Sequence, residues 1–158
     1  MIATLLSLEN PAFRFYVIAA SLMLLKLMLQ PWMTVYRMLK VHGGFRNPED
    51  LRKSPANPNP RPEQIEPNDY VERSRRINQN DLESIPGFLA AGLLFVLANP
   101  PLVLAAALYS VYVVFRILHF LAYSTAQLHD IRAALWTPAS LAVLIMIAYV
   151  LLAALSTG

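Results

Sequence analysis

The chain of 158 residues contains no cysteine. That excludes disulfides, thiolate metal sites and a cysteine nucleophile, so any thiol chemistry must use a thiol brought in by a substrate. Glycine is scarce as well, five residues in all, and no Gly-rich phosphate loop occurs, which removes dinucleotide-binding and P-loop folds. The three histidines, His42, His119 and His129, show no metal-ligand spacing. No Ser-His-Asp arrangement, Asn-x-Ser/Thr acceptor or internal repeat is present. Charged residues make up only 15% of the chain against 56% hydrophobic residues. A water-soluble domain of this size has too little interior to hide so much apolar surface, so the composition predicts an integral membrane protein.

What is there supports that class. Four apolar runs predict an all-α, four-transmembrane-helix bundle forming a single domain over 1–158. The first run, about 12–38, is interrupted by Arg14, Lys26, Gln30 and Pro31 before Arg37 at its end. It is too long, and too weakly cationic at its start, for a cleaved signal peptide. The apolar part of the second, 85–98, is short for a span of roughly 20 residues. Its helix must therefore reach back through the polar stretch VERSRRINQNDLESI to about residue 73. The third and fourth runs cover about 102–125 and 131–155. Nine of the thirteen Lys and Arg residues lie between Arg37 and Arg76, so the Pro-rich connection of about 39–72 is expected to be irregular in structure and cytoplasmic. The last turn, TAQLHDIR, falls on the same side. Either an endoplasmic reticulum membrane or a bacterial inner membrane is compatible with this topology. Membrane-length flanks leave no place for a nucleic-acid surface.

Polar residues recur at helical spacing where the second and third spans approach this side. Arg73, Arg76, Asn80 and Glu83 project from one face of a helix, and Arg116, His119 and Tyr123 from one face of the next. An ionised side chain at membrane depth costs roughly 2.5–3.5 kcal/mol on insertion scales. Glu83 and Arg116 must therefore face each other, a neighbouring subunit or a polar guest. Two readings are compatible with the spacing. One is a structural ion-pair network of Glu83 with Arg76 or Arg116; the other is a polar ligand held between helices. Arg73 and Arg75 read as a basic rim toward the headgroups. Arg132, at the start of the fourth span, is either a snorkelling anchor or a member of the same site.

These residues carry a resemblance. VERSRRINQNDLESI resembles the second-helix signature of the MAPEG family, the membrane-associated proteins in eicosanoid and glutathione metabolism. The NPED of Asn47–Asp50, the R-x-x-H-x-x-x-Y of Arg116, His119 and Tyr123, the arginine nine residues later at Arg132, and Lys26 in the first span match in order along nearly the whole chain. The resemblance implies a homotrimer of four-helix protomers with glutathione as co-substrate. Arg76, Asn80 and Glu83 would bind the tripeptide from span two, Arg116, His119 and Tyr123 from span three, and Arg37 from span one. Arg132 matches the arginine assigned to stabilising the glutathione thiolate. Leu51 follows NPED where the family's transferases carry a reactive cysteine, so activation by thiol modification is not expected. Trp136 stands either beside the pocket or in the interfacial belt.

The implied activity is that of a membrane glutathione transferase, extending to glutathione peroxidase chemistry, on apolar electrophiles or lipid hydroperoxides. Its partners would be glutathione, an apolar small-molecule or lipid substrate and the membrane lipids. Two alternatives carry the same signature: a glutathione-dependent isomerase of the prostaglandin E synthase kind, and a non-catalytic lipid-binding scaffold. Gln79 and Ala133 depart from the isomerase pattern, and the presence of Arg132 speaks against the scaffold.

Overall fold

The structure is a computed structural model that describes residues 2–156. After a short helix α1 (Ile2–Leu5), four long helices follow: α2 (Pro11–Val41), α3 (Asp69–Leu97), α4 (Leu102–Ser124) and α5 (His129–Ser156). All four are long and apolar enough to cross a membrane, which gives the all-α membrane bundle expected from composition. At 1.5 Å per residue α2 is about 46 Å long, beyond the ~30 Å hydrocarbon core, so its ends must project toward the headgroups.

Helix ends are set by local chemistry. The Asn10 side chain accepts from the backbone N–H of Ala12 at 3.0 Å, with Pro11 in the first turn, where its missing N–H costs nothing. Asn68 caps α3 in the same way, accepting from Tyr70 and Val71, and Asp69 and Glu72 place negative charge on its first turn. Three spans continue through an internal proline, Pro31, Pro86 and Pro138, as transmembrane helices can. The connection from α2 to α3 holds two 3-10 turns, Pro48–Leu51 and Pro62–Ile65. They are joined by a reciprocal amide pair between Asn57 and Gln64, both buried. The loop is irregular, as its prolines predict, yet tied down.

Around the bundle α2 packs on α3 and α4, and α5 packs on the same two helices. The core between them is aromatic. Phe88 of α3 stacks on Tyr112 of α4 with ring centroids 3.8 Å apart, and Phe95 meets Tyr109 edge-on at 6.1 Å. The buried Tyr109 hydroxyl donates to the Gly92 carbonyl at 2.9 Å and the Tyr16 hydroxyl to the Leu89 carbonyl at 2.9 Å. A polar atom in hydrocarbon needs such a partner. Gly92 is required here: a Cβ would lie 2.9 Å from the Tyr16 ring. This rigid apolar half leaves the other end of the bundle free to be polar, where α2 and α4 end and α3 and α5 begin.

Candidate groove between α3, α4 and α5

The polar stretch of α3 has two unlike sides. On the interior side Asp81, 1% exposed, is the centre of a sealed network. One carboxylate oxygen pairs with the Arg116 guanidinium of α4; the other pairs with the Lys26 ammonium of α2 and accepts from Gln30 Nε2 at 3.1 Å. Arg116 is itself 0% exposed. Its Nη1 donates to Asn80 Oδ1 at 3.0 Å and its Nη2 to the Asn80 backbone carbonyl at 3.3 Å. A buried acid with two cationic partners and a further donor avoids the penalty that an unpaired charge would suffer in low dielectric.

This corrects the expected ion pair. Glu83 meets neither Arg76 nor Arg116; it is exposed, and its partner is the Gln79 amide at 3.3 Å. The reason is helical geometry. Residues 81 and 83 are separated by roughly 200° around the axis at 100° per residue, so only one can face α4.

The opposite side is open. Three clefts share walls and form one groove. The first, about 320 Å³, is lined by Arg73, Arg76, Tyr123, Ala126, Gln127 and Arg132. The second, about 280 Å³, adds Asn80, His119, His129, Ala133 and Trp136 to Tyr123 and Arg132. The third, about 230 Å³, runs from Asn80 and Trp136 past Glu83, Ser84 and Gly87 to Ser140, Val143 and Leu144. The groove thus passes from a cationic mouth, through amide and imidazole groups, to an apolar end.

Its electrostatics differ from those of the interior. Arg73, Arg76 and Arg132 make no ion pair among the described residues. The Arg132 guanidinium lies over the Tyr123 ring at 4.3 Å, and its buried Nε has no acceptor. Tyr123 meets His119 edge-on at 5.6 Å, so α4 supplies an aromatic floor that fixes the arginine by cation–π contact. Three guanidiniums without carboxylates make a strong site for an anion, best for planar carboxylates. Glu83, farther along, offers one acceptor for a cation. A cleft of about 350 Å³ under the loop, between His42 and Asn68, mixes Arg61 with Glu63 and Glu66 and shows no such convergence.

Among the residues singled out by spacing, the groove therefore brings together Arg76, Asn80, Glu83, His119, Tyr123 and Arg132. Arg116 stands behind it, in contact with Asn80 but lining none of the clefts. Arg37 is buried elsewhere: its Nη1 donates to the Tyr70 carbonyl at 2.8 Å and its guanidinium sits 4.4 Å from the Tyr70 ring centroid. Of the expected basic rim, Arg73 belongs to the groove, and Arg75 is held inward by Glu72 and by the Gly44 carbonyl at 2.6 Å. Trp136 is a groove wall.

Comparison with known proteins gives the chain's relatives. The family model for the MAPEG family matches residues 15–152. The chain is 34% identical over 118 residues to microsomal glutathione S-transferase 1 of Sus scrofa and 34% identical over 118 residues to that of Homo sapiens, covering 75% of each chain in both cases. It is 27% identical over 136 residues, 86% of each chain, to prostaglandin E synthase of Macaca fascicularis.

Proposed function

The chain belongs to the MAPEG family, and from that premise we propose that it is a membrane glutathione transferase acting on apolar electrophiles. The observation that carries this reading is the groove with three unpaired guanidiniums at one end and an apolar wall at the other. Glutathione has two carboxylates, an ammonium and a thiol. Arg73 and Arg76 suit its carboxylates, Asn80 its amide or carboxylate groups, and Glu83 its ammonium. Tyr123 and Arg132 are then left for the sulfur.

A free thiol with pKa near 8.5 is only a few per cent ionised at neutral pH, and the thiolate is the nucleophile. Each unit of depression needs about 1.4 kcal/mol of preferential stabilisation of the anion. A half-buried arginine with no competing carboxylate can supply this, because it remains protonated there. In conjugation the thiol proton leaves to solvent, a carbon–sulfur bond forms on the electrophile, and the leaving group departs with its electron pair. Toward a lipid hydroperoxide, two glutathione thiols reduce the peroxide to an alcohol and water while joining in a disulfide. Substrates dissolved in the membrane would enter from the Val143 and Leu144 end, which explains siting such an enzyme in lipid.

The groove opens on an exposed side of α3, where a neighbouring protomer could close it; a homotrimer is part of the proposal, with Arg37 reaching a neighbour's groove only if Tyr70 releases it. The relative named prostaglandin E synthase favours a second reading, glutathione-dependent isomerisation of an endoperoxide. Conjugation of a generic electrophile by the purified protein, wild type against Arg132→Ala, tests the first reading. Wild type is expected to bind glutathione and conjugate the electrophile, and Arg132→Ala to bind glutathione but conjugate far more slowly at neutral pH. Endoperoxide conversion without conjugation would move the assignment to the isomerase, and wild type that does not bind glutathione would sink both.

A further inference from the structure

Asn80 is a groove residue gripped from inside the protein, as is Ser84, whose hydroxyl shares a hydrogen bond of 2.9 Å with the buried Tyr112 hydroxyl. Arginine has only donors, so the contact of Arg116 Nη1 with the Asn80 side chain at 3.0 Å must be to the amide oxygen. This fixes which way round the amide stands. The second prong, Arg116 Nη2 to the Asn80 carbonyl at 3.3 Å, fixes the backbone on which it stands. Arg116 in turn is held by Asp81, whose other oxygen is anchored by Lys26 and Gln30 of α2. With its oxygen turned to Arg116, the edge that Asn80 has left without a protein partner among the described residues is its NH2.

We propose that Asp81 and Arg116 are a positioning pair that locks the Asn80 side chain so that its NH2 is the free edge in the groove, making this point selective for a hydrogen-bond acceptor such as a carboxylate or a peptide carbonyl. Neither residue lines the groove, so neither is catalytic. Their effect passes through Asn80. The acceptor's identity as a group of glutathione rests on the function proposed above; the locking does not.

The pair also explains why the anchoring acid is adjacent in sequence to the residue it serves. Neighbouring positions on a helix point about 100° apart. One can then face the sealed interior while the other faces the groove, and a single guanidinium can touch both.

Arg116→Lys tests the proposal in full-length protein in detergent or nanodiscs. Lysine keeps the charge but cannot span both Asn80 and Asp81 with a planar fork. Two readouts separate the locking from the ligand. The first is the side-chain amide signal of Asn80 in nitrogen-15 spectra without ligand, identified by its loss in Asn80→Ala. It is expected to shift and broaden in Arg116→Lys, and an unchanged signal would overturn the locking whatever the ligand. The second is a glutathione titration of Arg116→Lys, Asn80→Ala and the double variant. Affinity is expected to fall about fivefold in Arg116→Lys, with less than a twofold further loss when Arg116→Lys is added to Asn80→Ala. Independent, multiplying losses would overturn the proposal. If Arg116→Lys does not fold, the volume-matched apolar variant Lys26→Met/Asp81→Leu/Arg116→Met serves, since replacing a whole buried ion cluster is often tolerated. It must release the Asn80 signal in the same way. Wild type that does not bind glutathione would remove the proposed function, while the amide signal would still decide the locking by itself.

Discussion

On the side of α3 that faces α2 and α4, the cations share a carboxylate, whereas on the side that faces α5 they are left without one. Asp81 takes Lys26, Gln30 and Arg116 within a dry interior. Roughly one and a half to two helical turns toward the start of the same helix, Arg73 and Arg76 share a groove with Arg132 and no carboxylate pairs with any of them among the described residues. Both sides use arginine, so residue type does not tell structure from site. Pairing does. A buried charge paired across helices holds them together; a cation kept without a counter-charge is stored attraction for a ligand.

That contrast can be broken by mutation. Asp81→Ala leaves Lys26 and Arg116 without a counter-charge, and the expected loss is about 3–5 kcal/mol of stability, read by thermal unfolding in detergent. Glu83→Ala, two residues on, should leave the unfolding temperature in place while weakening glutathione binding. If the two variants behaved alike, the division of α3 into sealed and open sides would be wrong. Next in size is Arg132→Ala. A loss of two units of thiol-pKa depression, from about 6.5 to about 8.5, corresponds to about 2.7 kcal/mol and lowers the thiolate fraction at pH 7 about 25-fold, so conjugation at neutral pH should fall by about that factor with stability unchanged. The sign is definite. Without the guanidinium the bound thiol titrates higher, so the rate deficit should shrink as pH rises toward ~8.5. A pH-independent deficit would assign Arg132 to binding instead.

How much of this was visible in the residues alone depends on how local each cause is. Spacings of three and four place Arg76, Asn80 and Glu83 on one face because the helix repeat is a local property, and the same holds for His119 and Tyr123. Asp81 was passed over although a signal for it existed. Lys26 and Gln30 are four residues apart on an otherwise apolar span, and two polar groups on one face at membrane depth require an opposite partner at that depth. Arg73 and Arg75 could not be told apart in this way. Which of them turns inward depends on the Gly44 carbonyl, and that is delivered by a loop closing over 31 residues of sequence. Arg37 was equally illegible, since its partner is a backbone carbonyl at the start of another helix.

Smaller effects sharpen the comparison from the open side. Arg76→Gln removes one guanidinium from the mouth of the groove, where a charge-assisted hydrogen bond to a carboxylate contributes about 1.5–3 kcal/mol. Solvent access at this exposed position places the expected effect at the lower end, about a tenfold rise in the glutathione KM with kcat held. A fall in kcat with KM unchanged would put Arg76 next to the reacting sulfur instead of the carboxylates.

The least effect is expected from a pair that looks as good on distance as any other. Arg46 meets Glu72 at 2.6 Å, but the Arg46 side chain is 62% exposed. Water and headgroups compete for both partners, and exposed pairs contribute about 0–1 kcal/mol. Glu72 also retains Arg75, so Arg46→Ala leaves no orphaned carboxylate. Its unfolding temperature should therefore shift by no more than about 2–4 °C per kcal/mol lost, and glutathione affinity should not move. The comparison turns largely on burial, because Arg46–Glu72 and Arg116–Asp81 each join a guanidinium to a carboxylate of α3. Were Arg46→Ala to cost as much as Asp81→Ala, the strength of the interior network would have to come from something other than its exclusion of water.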